Sequence, residues 1–170
     1  MTVLRTPRLV LRRAAPGDLD ALHEILSDPQ AMRYWSTAPH IDLAQTRAWL
    51  DDMIGAPPGE SDDFIVEHEG KLIGKAGCWR LPNVGYLFSP AVWGRGFGQE
   101  AMKAAIEHIF RSHPLPSLHA DVDPNNAASL ALLAKLGFRE TGRAERTIKI
   151  GETWYDSVFL ALERPAAEPA

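Results

Sequence analysis

Apolar positions along the chain change period several times, and each change marks an element. Residues 8–13 set Leu9, Val10 and Leu11 between arginines, which predicts a strand. Pro16-Gly17-Asp18 then opens a helix to Leu26, with Leu19, Leu22 and Leu26 on one face, stopped by Ser27-Asp28-Pro29. Residues 32–40 are aromatic and aperiodic and read as a structured loop. A second helix covers 42–54, with Leu43, Leu50 and Met53 at helical spacing and Asp42 and Gln45 as a capping box. The stretch 55–63, which holds Pro57-Pro58-Gly59, reads as a mobile connection. Strands follow at 64–68 and 72–81, a hairpin turning at Glu69-Gly70, and then a short apolar strand at 84–88.

The second half alternates strand with helix. Residues 99–112 place Met102, Ala105, Ile106, Ile109 and Phe110 on one face, and Pro114 and Pro116 end that helix. A strand at 118–122 leads to a helix at 126–136, closed by Gly137 in the left-handed position that follows a helix. Residues 138–149 and 152–162 form a final hairpin around Ile150-Gly151. The predicted class is α/β with a mixed sheet, four helices, and parallel strands around Val84 and Leu118.

Composition narrows the picture. At 170 residues the chain is the size of one domain, taken as 1–163 with a flexible tail at 164–170. Hydrophobic residues at 45% and charged residues at 24% exclude disorder for the body of the chain. A net charge of −4 supplies no basic field for a nucleic-acid partner. The lone cysteine, Cys78, excludes a disulfide framework and a cysteine-based zinc site. No apolar run has the length of a signal peptide or a bilayer span, so the expected address is the cytoplasm, with no membrane partner.

The candidate chemistry lies where glycines alternate, at Gly94, Gly96 and Gly98, between a strand and a helix. Such a turn brings backbone close to a ligand, and the first amides of a helix favour a phosphate. A tight turn that merely needs glycine is the plain alternative. The Walker loop is excluded, because no lysine and hydroxyl follow the glycines. The dinucleotide fingerprint is excluded too, since the third glycine comes one residue early and the motif lies mid-chain.

These residues resemble the GNAT N-acetyltransferases. Arg95-Gly96-Phe97-Gly98 after Gly85-Tyr86-Leu87-Phe88-Ser89-Pro90 is similar to the acetyl-CoA signature of that family. Trp93-Gly94-Arg95-Gly96 with Glu100-Ala101 resembles its ribosomal-protein N-terminal acetyltransferase branch. So does Asp123-Pro124-Asn125-Asn126-Ala127-Ala128-Ser129 followed by Leu136-Gly137-Phe138, and so does the opening Thr6-Pro7-Arg8-Leu9. The resemblance implies a mostly antiparallel sheet splayed open between the strands at Val84 and Leu118, with acetyl-CoA in the V. Amides of Gly94, Arg95, Gly96, Phe97, Gly98 and Gln99 would hold its pyrophosphate. Its pantetheine would run beside Tyr86–Ser89 and meet Asn126, with Ser129 near the sulfur. A backbone N–H at Leu87 or Phe88 would stabilise the oxyanion.

Three positions depart from the family pattern, one of them Trp93, which stands where other branches have Arg or Gln and is compatible with a loop that works through its main chain. Asn83 stands where the branch commonly has glutamate, and Leu133 where many members have a tyrosine proton donor. Ser129 is left as the donor, and the base is open among Glu67, His119, Asp121, Glu152 or a water leading to one of them. His119, Asp121 and Asp123 share a strand face by period two, which suits the acceptor side of the cleft better than a metal site. Tyr34 and Trp35 are expected to touch the acceptor, and Cys78, with no basic neighbour, is expected to be inert. The implied reaction is acetyl transfer to a primary amine, either a protein N-terminus or a small molecule such as a polyamine, amino acid or antibiotic. An acyl-CoA sensor without chemistry is the third reading. The sequence fits a monomer or a homodimer.

Overall fold

The computed structural model describes residues 2–166. The chain runs β1 (Val3–Arg5), β2 (Leu9–Arg12), α1 (Leu19–Leu26), α2 (Leu43–Gly55), β3 (Asp62–His68), β4 (Lys71–Arg80) and β5 (Asn83–Phe88). It continues through α3 (Phe97–Ser112), β6 (Ser117–Val122), α4 (Ala127–Lys135), β7 (Arg139–Ile150) and β8 (Thr153–Glu163). All eight strands join one sheet in the order β1-β2-β3-β4-β5-β6-β8-β7. Every neighbouring pair is antiparallel except β5 with β6.

Both faces of the sheet centre are covered, so β3 and β4 are buried through most of their length. Strand alternation divides the core in two. Phe64, Val66 and Phe88 pack with Met102, Ile109 and Phe110 of α3. Ile65 and Leu87 face the other way, onto Leu22, Leu26 and Leu50 of α1 and α2.

Capping residues act largely where the pattern placed them. Asp42 Oδ1 accepts from the Gln45 amide at 2.8 Å, while Gln45 Oε1 reaches Ile41 N instead of completing the box. Gly137 takes φ +95°, with Phe138 N bonded to Leu133 O and Gly137 N to Ala134 O.

Four features differ from the sequence pattern. β1 is an added edge strand whose three residues pair with β2 through tertiary contact alone. Asp62 and Asp63 belong to β3 rather than to a loop, because each buried carboxylate has a cation: Arg13 for Asp62 and Lys75 for Asp63. α3 begins two residues early, at Phe97, whose ring is core. Arg164 is not a loose tail residue. Its guanidinium donates to the carbonyls of Phe110, His113 and Leu115, and its amide donates to Pro116 O. Residues 167–170 of the expected tail lie outside the described residues.

One break in the sheet positions the site. β5 and β6 pair only at Asn83 and His119, where His119 N donates to Pro82 O at 3.0 Å. Above that point β5 stays with β4, and β6 stays with β8 from Ser117 to Val122, so the two strands part.

Candidate active site

The opened V is a cleft of about 750 Å³. Its lower wall is the segment from Trp93 into α3. Gly94 and Gly96 sit at φ +73° and +78°, conformations that strain any residue with a Cβ, whereas Gly98 is an ordinary helical residue. Glu100 N is the first amide of α3 to reach a backbone carbonyl, Gly96 O at 3.1 Å. Among the described residues the amides from Gly94 to Gln99 have no backbone partner, so they and the helix dipole form an anion cradle.

Strand alternation decides which β5 amides face the cleft. Ser89 N donates to Ile73 O at 2.9 Å, so the main chain of Ser89 and of Leu87 turns toward β4. That of Tyr86 and Phe88 turns into the V. This corrects the pair proposed from sequence: the Phe88 N–H faces the cleft and that of Leu87 is committed to the sheet. Phe88 O already accepts from the indole Nε1 of Trp93 at 3.0 Å. Sequence reading gave Trp93 no side-chain role, and nothing local signals this bond.

The opposite wall is the start of α4. Asn126 caps the helix, its Oδ1 accepting from Ser129 N at 3.2 Å. Ser129 Oγ forms a short hydrogen bond with the phenol of Tyr86, which also lies 3.4 Å from Ser129 O. Burial pushes the Tyr86 phenol up to about 12, although the Ser129 contact works against the shift. Both residues were expected at the site, but their contact was not legible, because it joins a strand to a helix 43 residues away.

The acceptor-side candidates divide. Tyr34, Trp35 and Asp121 line the cleft. His119 lies below the split with Nε2 at 2.9 Å from Ser117 Oγ and is not part of the lining. Glu67 is held by Arg12 at 2.7 Å, and the Glu152 side chain is 97% exposed at the β7–β8 turn. The Arg95 side chain stacks on Phe97, at 4.8 Å from the ring centroid, so its main chain alone faces the cradle. Leu133 is buried core and offers no proton. Cys78 is fully buried, and burial together with Asp63 and Asp62 pushes its thiol up to about 12, which leaves it inert.

Two further groups were missed by sequence reading. Lys75 is 2% exposed, with Nζ at 2.5 Å from Asp63 Oδ2 and 5.6 Å from the Trp35 ring centroid. Burial raises the Asp63 carboxyl despite that lysine. The Arg8 side chain crosses to the glycine segment, donating to Arg95 O at 2.9 Å and to Glu100 Oε2 at 2.7 Å.

The acetyltransferase (GNAT) domain model matches residues 8–139. The chain belongs to the GNAT family. It is 32% identical over 152 residues to the uncharacterized N-acetyltransferase p20 of Bacillus licheniformis, covering 84% of this chain and 85% of that one. It is 35% identical over 112 residues to the [ribosomal protein uS5]-alanine N-acetyltransferase of Escherichia coli, covering 66% and 57%. The spermidine N-acetyltransferase of Vibrio cholerae, solved with CoA and spermine, superposes with a TM-score of 0.80 at 21% identity, covering 93% and 96%.

This GNAT domain is an acetyl-CoA-dependent N-acetyltransferase. The residues fit the co-substrate. Two glycines at positive φ, with room where a side chain would stand, and a row of amides without backbone partners suit a pyrophosphate, and the open edge of β5 suits an extended pantetheine arm. Acetyl-CoA brings the activated thioester, and the protein supplies binding and orientation. Among the described residues no helix is long and apolar enough to cross a membrane.

Proposed function

We propose that this enzyme acetylates a protein N-terminal α-amine in the cytoplasm, by direct attack with both reactants held in one cleft. One observation carries the reading. The cradle of amides, the cleft-facing Phe88 N–H and the Ser129 hydroxyl all converge on the gap between β5 and α4. Such a gap brings the reacting atoms together without a covalent enzyme intermediate.

Each residue then has a physical task. The amides of Gly94 to Gln99 hold the pyrophosphate, and the Asn126 amide, whose Oδ1 is spent on its helix, offers its NH₂ to the pantetheine arm. The Phe88 N–H donates to the thioester oxygen as negative charge develops there. Ser129 donates to the sulfur as its bond to carbon breaks. An ammonium has no lone pair, so the amine must first lose a proton. Asp121, the only one of the four base candidates that lines the cleft, accepts it directly or through water. Tyr34 and Trp35 wall the acceptor side. Likeness to the uS5-alanine enzyme supports a peptide N-terminus as acceptor.

A small polyamine is the second reading, favoured by two carboxylates, Asp121 and Asp123, in one cleft and by likeness to the spermidine enzyme. CoA release across short peptides, polyamines and aminoglycosides, with product masses confirmed, separates them. Turnover confined to peptides is expected, and turnover confined to small amines overturns the N-terminal reading.

A further inference from the structure

We propose that Tyr86 is a positioning residue: its phenol donates to Ser129 Oγ and so aims the Ser129 proton at the sulfur of bound CoA. The inference rests on Ser129 as the donor to sulfur and adds the device that orients it.

The geometry carries the argument. The Tyr86 phenol comes off β5 into the gap and finds polar partners only on Ser129 among the described residues. Either hydroxyl of the pair is able to donate; in the proposed arrangement the phenol, the stronger acid, donates and Ser129 Oγ accepts. The serine hydrogen must then point elsewhere. A serine in a helix commonly hands it back to a carbonyl one turn earlier. Ser129 makes no such bond here, although its amide is tied to Asn126. Its hydrogen is therefore directed into the cleft that Ser129 itself lines.

Nothing else on α4 could take over this role near the helix start. Ser129 is the only hydroxyl that the helix carries, and Leu133, one turn on, is buried among apolar side chains. A phenol is protonated through the neutral range, and burial moves its titration further up, so the chain from Tyr86 O–H to Ser129 Oγ–H stays intact there. Two hydroxyls in series polarise each other, and the terminal hydrogen becomes a better donor than an isolated serine. During transfer the carbon–sulfur bond breaks with its electron pair on sulfur. The Ser129 hydrogen bond stabilises that thiolate, and the acceptor's proton leaves separately.

The test titrates the thiol of bound CoA by its ultraviolet absorbance, in wild type, Tyr86→Phe, Ser129→Ala and the double variant. No acceptor amine is needed, so the result is independent of which amine the enzyme acetylates. Each single variant is expected to raise the bound thiol pKa by about half to one unit, with no further rise in the double. Turnover should fall about tenfold in each single variant, again without addition, while KM for acetyl-CoA stays within about twofold. Fluorotyrosine at position 86, a more acidic donor of nearly the same shape, should lower the thiol pKa and serves if Tyr86→Phe folds poorly. A shift in Ser129→Ala with none in Tyr86→Phe or fluorotyrosine overturns the part given to Tyr86. No shift in Ser129→Ala overturns Ser129 as the donor itself. Losses that add in the double variant overturn the coupling between them.

Discussion

At Gly96 a single hydrogen in place of a side chain decides two things. The residue holds φ +78° and lines the cleft, and a Cβ there would stand 3.4 Å from Arg8 Nη2. Gly96→Val should therefore cut acetyl-CoA affinity at least tenfold, by backbone strain and by blocking the phosphate together. Calorimetric titration that finds wild-type affinity would remove the segment from the pyrophosphate site. Ser129→Ala should act differently, because the hydroxyl matters most as charge reaches sulfur. Turnover should fall about tenfold with little change in KM, and an unchanged turnover number would exclude Ser129 from the chemistry. The glycine turn was legible in the sequence as a local pattern, while its reading as a phosphate site and the choice of Ser129 came from the family resemblance. The Phe88 N–H was legible only to within a residue. Separating it from Leu87 took the Ser89–Ile73 bond that sets which way each amide turns.

Elements hold the site through their ends. α3 carries Glu100 in its first turn, close to where an anionic ligand would lie, and the β1–β2 connection neutralises it. Thr6 Oγ1 donates to Glu100 Oε1 at 2.6 Å, and the Arg8 guanidinium pairs with Oε2. Arg8→Ala should weaken acetyl-CoA binding about two- to fivefold by leaving that charge exposed to the ligand. Glu100→Gln in the same background should restore part of the loss. Equal affinity in all three proteins would show that the tie is structural only. At the other helix of the cleft, Gly137 ends α4 at φ +95°, with Leu162 Cδ1 3.2 Å from the place of a Cβ. Gly137→Ala should cost about 1–2 kcal/mol in urea unfolding with an unchanged m-value, and a cost near zero would mean that the turn relaxes freely. The cap was readable as a local pattern. The Arg8 tie was not, since 92 residues separate its partners.

Across the whole molecule, acid should unfold the protein through a few identifiable carboxylates. Burial alone would raise Asp18, Asp62 and Glu100, but cations and hydroxyls hold all three below the usual range: Arg12 for Asp18, Arg13 and His113 for Asp62, Thr6 and Arg8 for Glu100. Folded carboxyls with lowered pKa bind fewer protons than the unfolded chain, so their stabilisation is full above the unfolded value and is lost as pH falls below it. Asp63, raised by burial, works in the opposite sense. Urea midpoints should therefore drop between about pH 5 and about pH 3, with a shallower drop in Asp62→Asn. A pH-independent midpoint over that range would contradict the assignment. The same scale separates the two sources of information. Hydrophobic period and turn residues determined the helices, most strands and the mixed sheet, because each is a relation among residues within a few turns of one another. The glycine spacing left a phosphate turn and a plain tight turn open until the family resemblance chose between them. Tertiary structure alone decided that Asp63 and Lys75 are buried partners and that Asp62 pairs with Arg13, that Asp121 and not His119 or Glu67 lines the cleft, and that Tyr86 meets Ser129. Those outcomes depend on where β5 and β6 part. The split is set by β6 pairing with β8 along its whole length while β5 stays with β4, a competition between strands distant in sequence that no local pattern encodes.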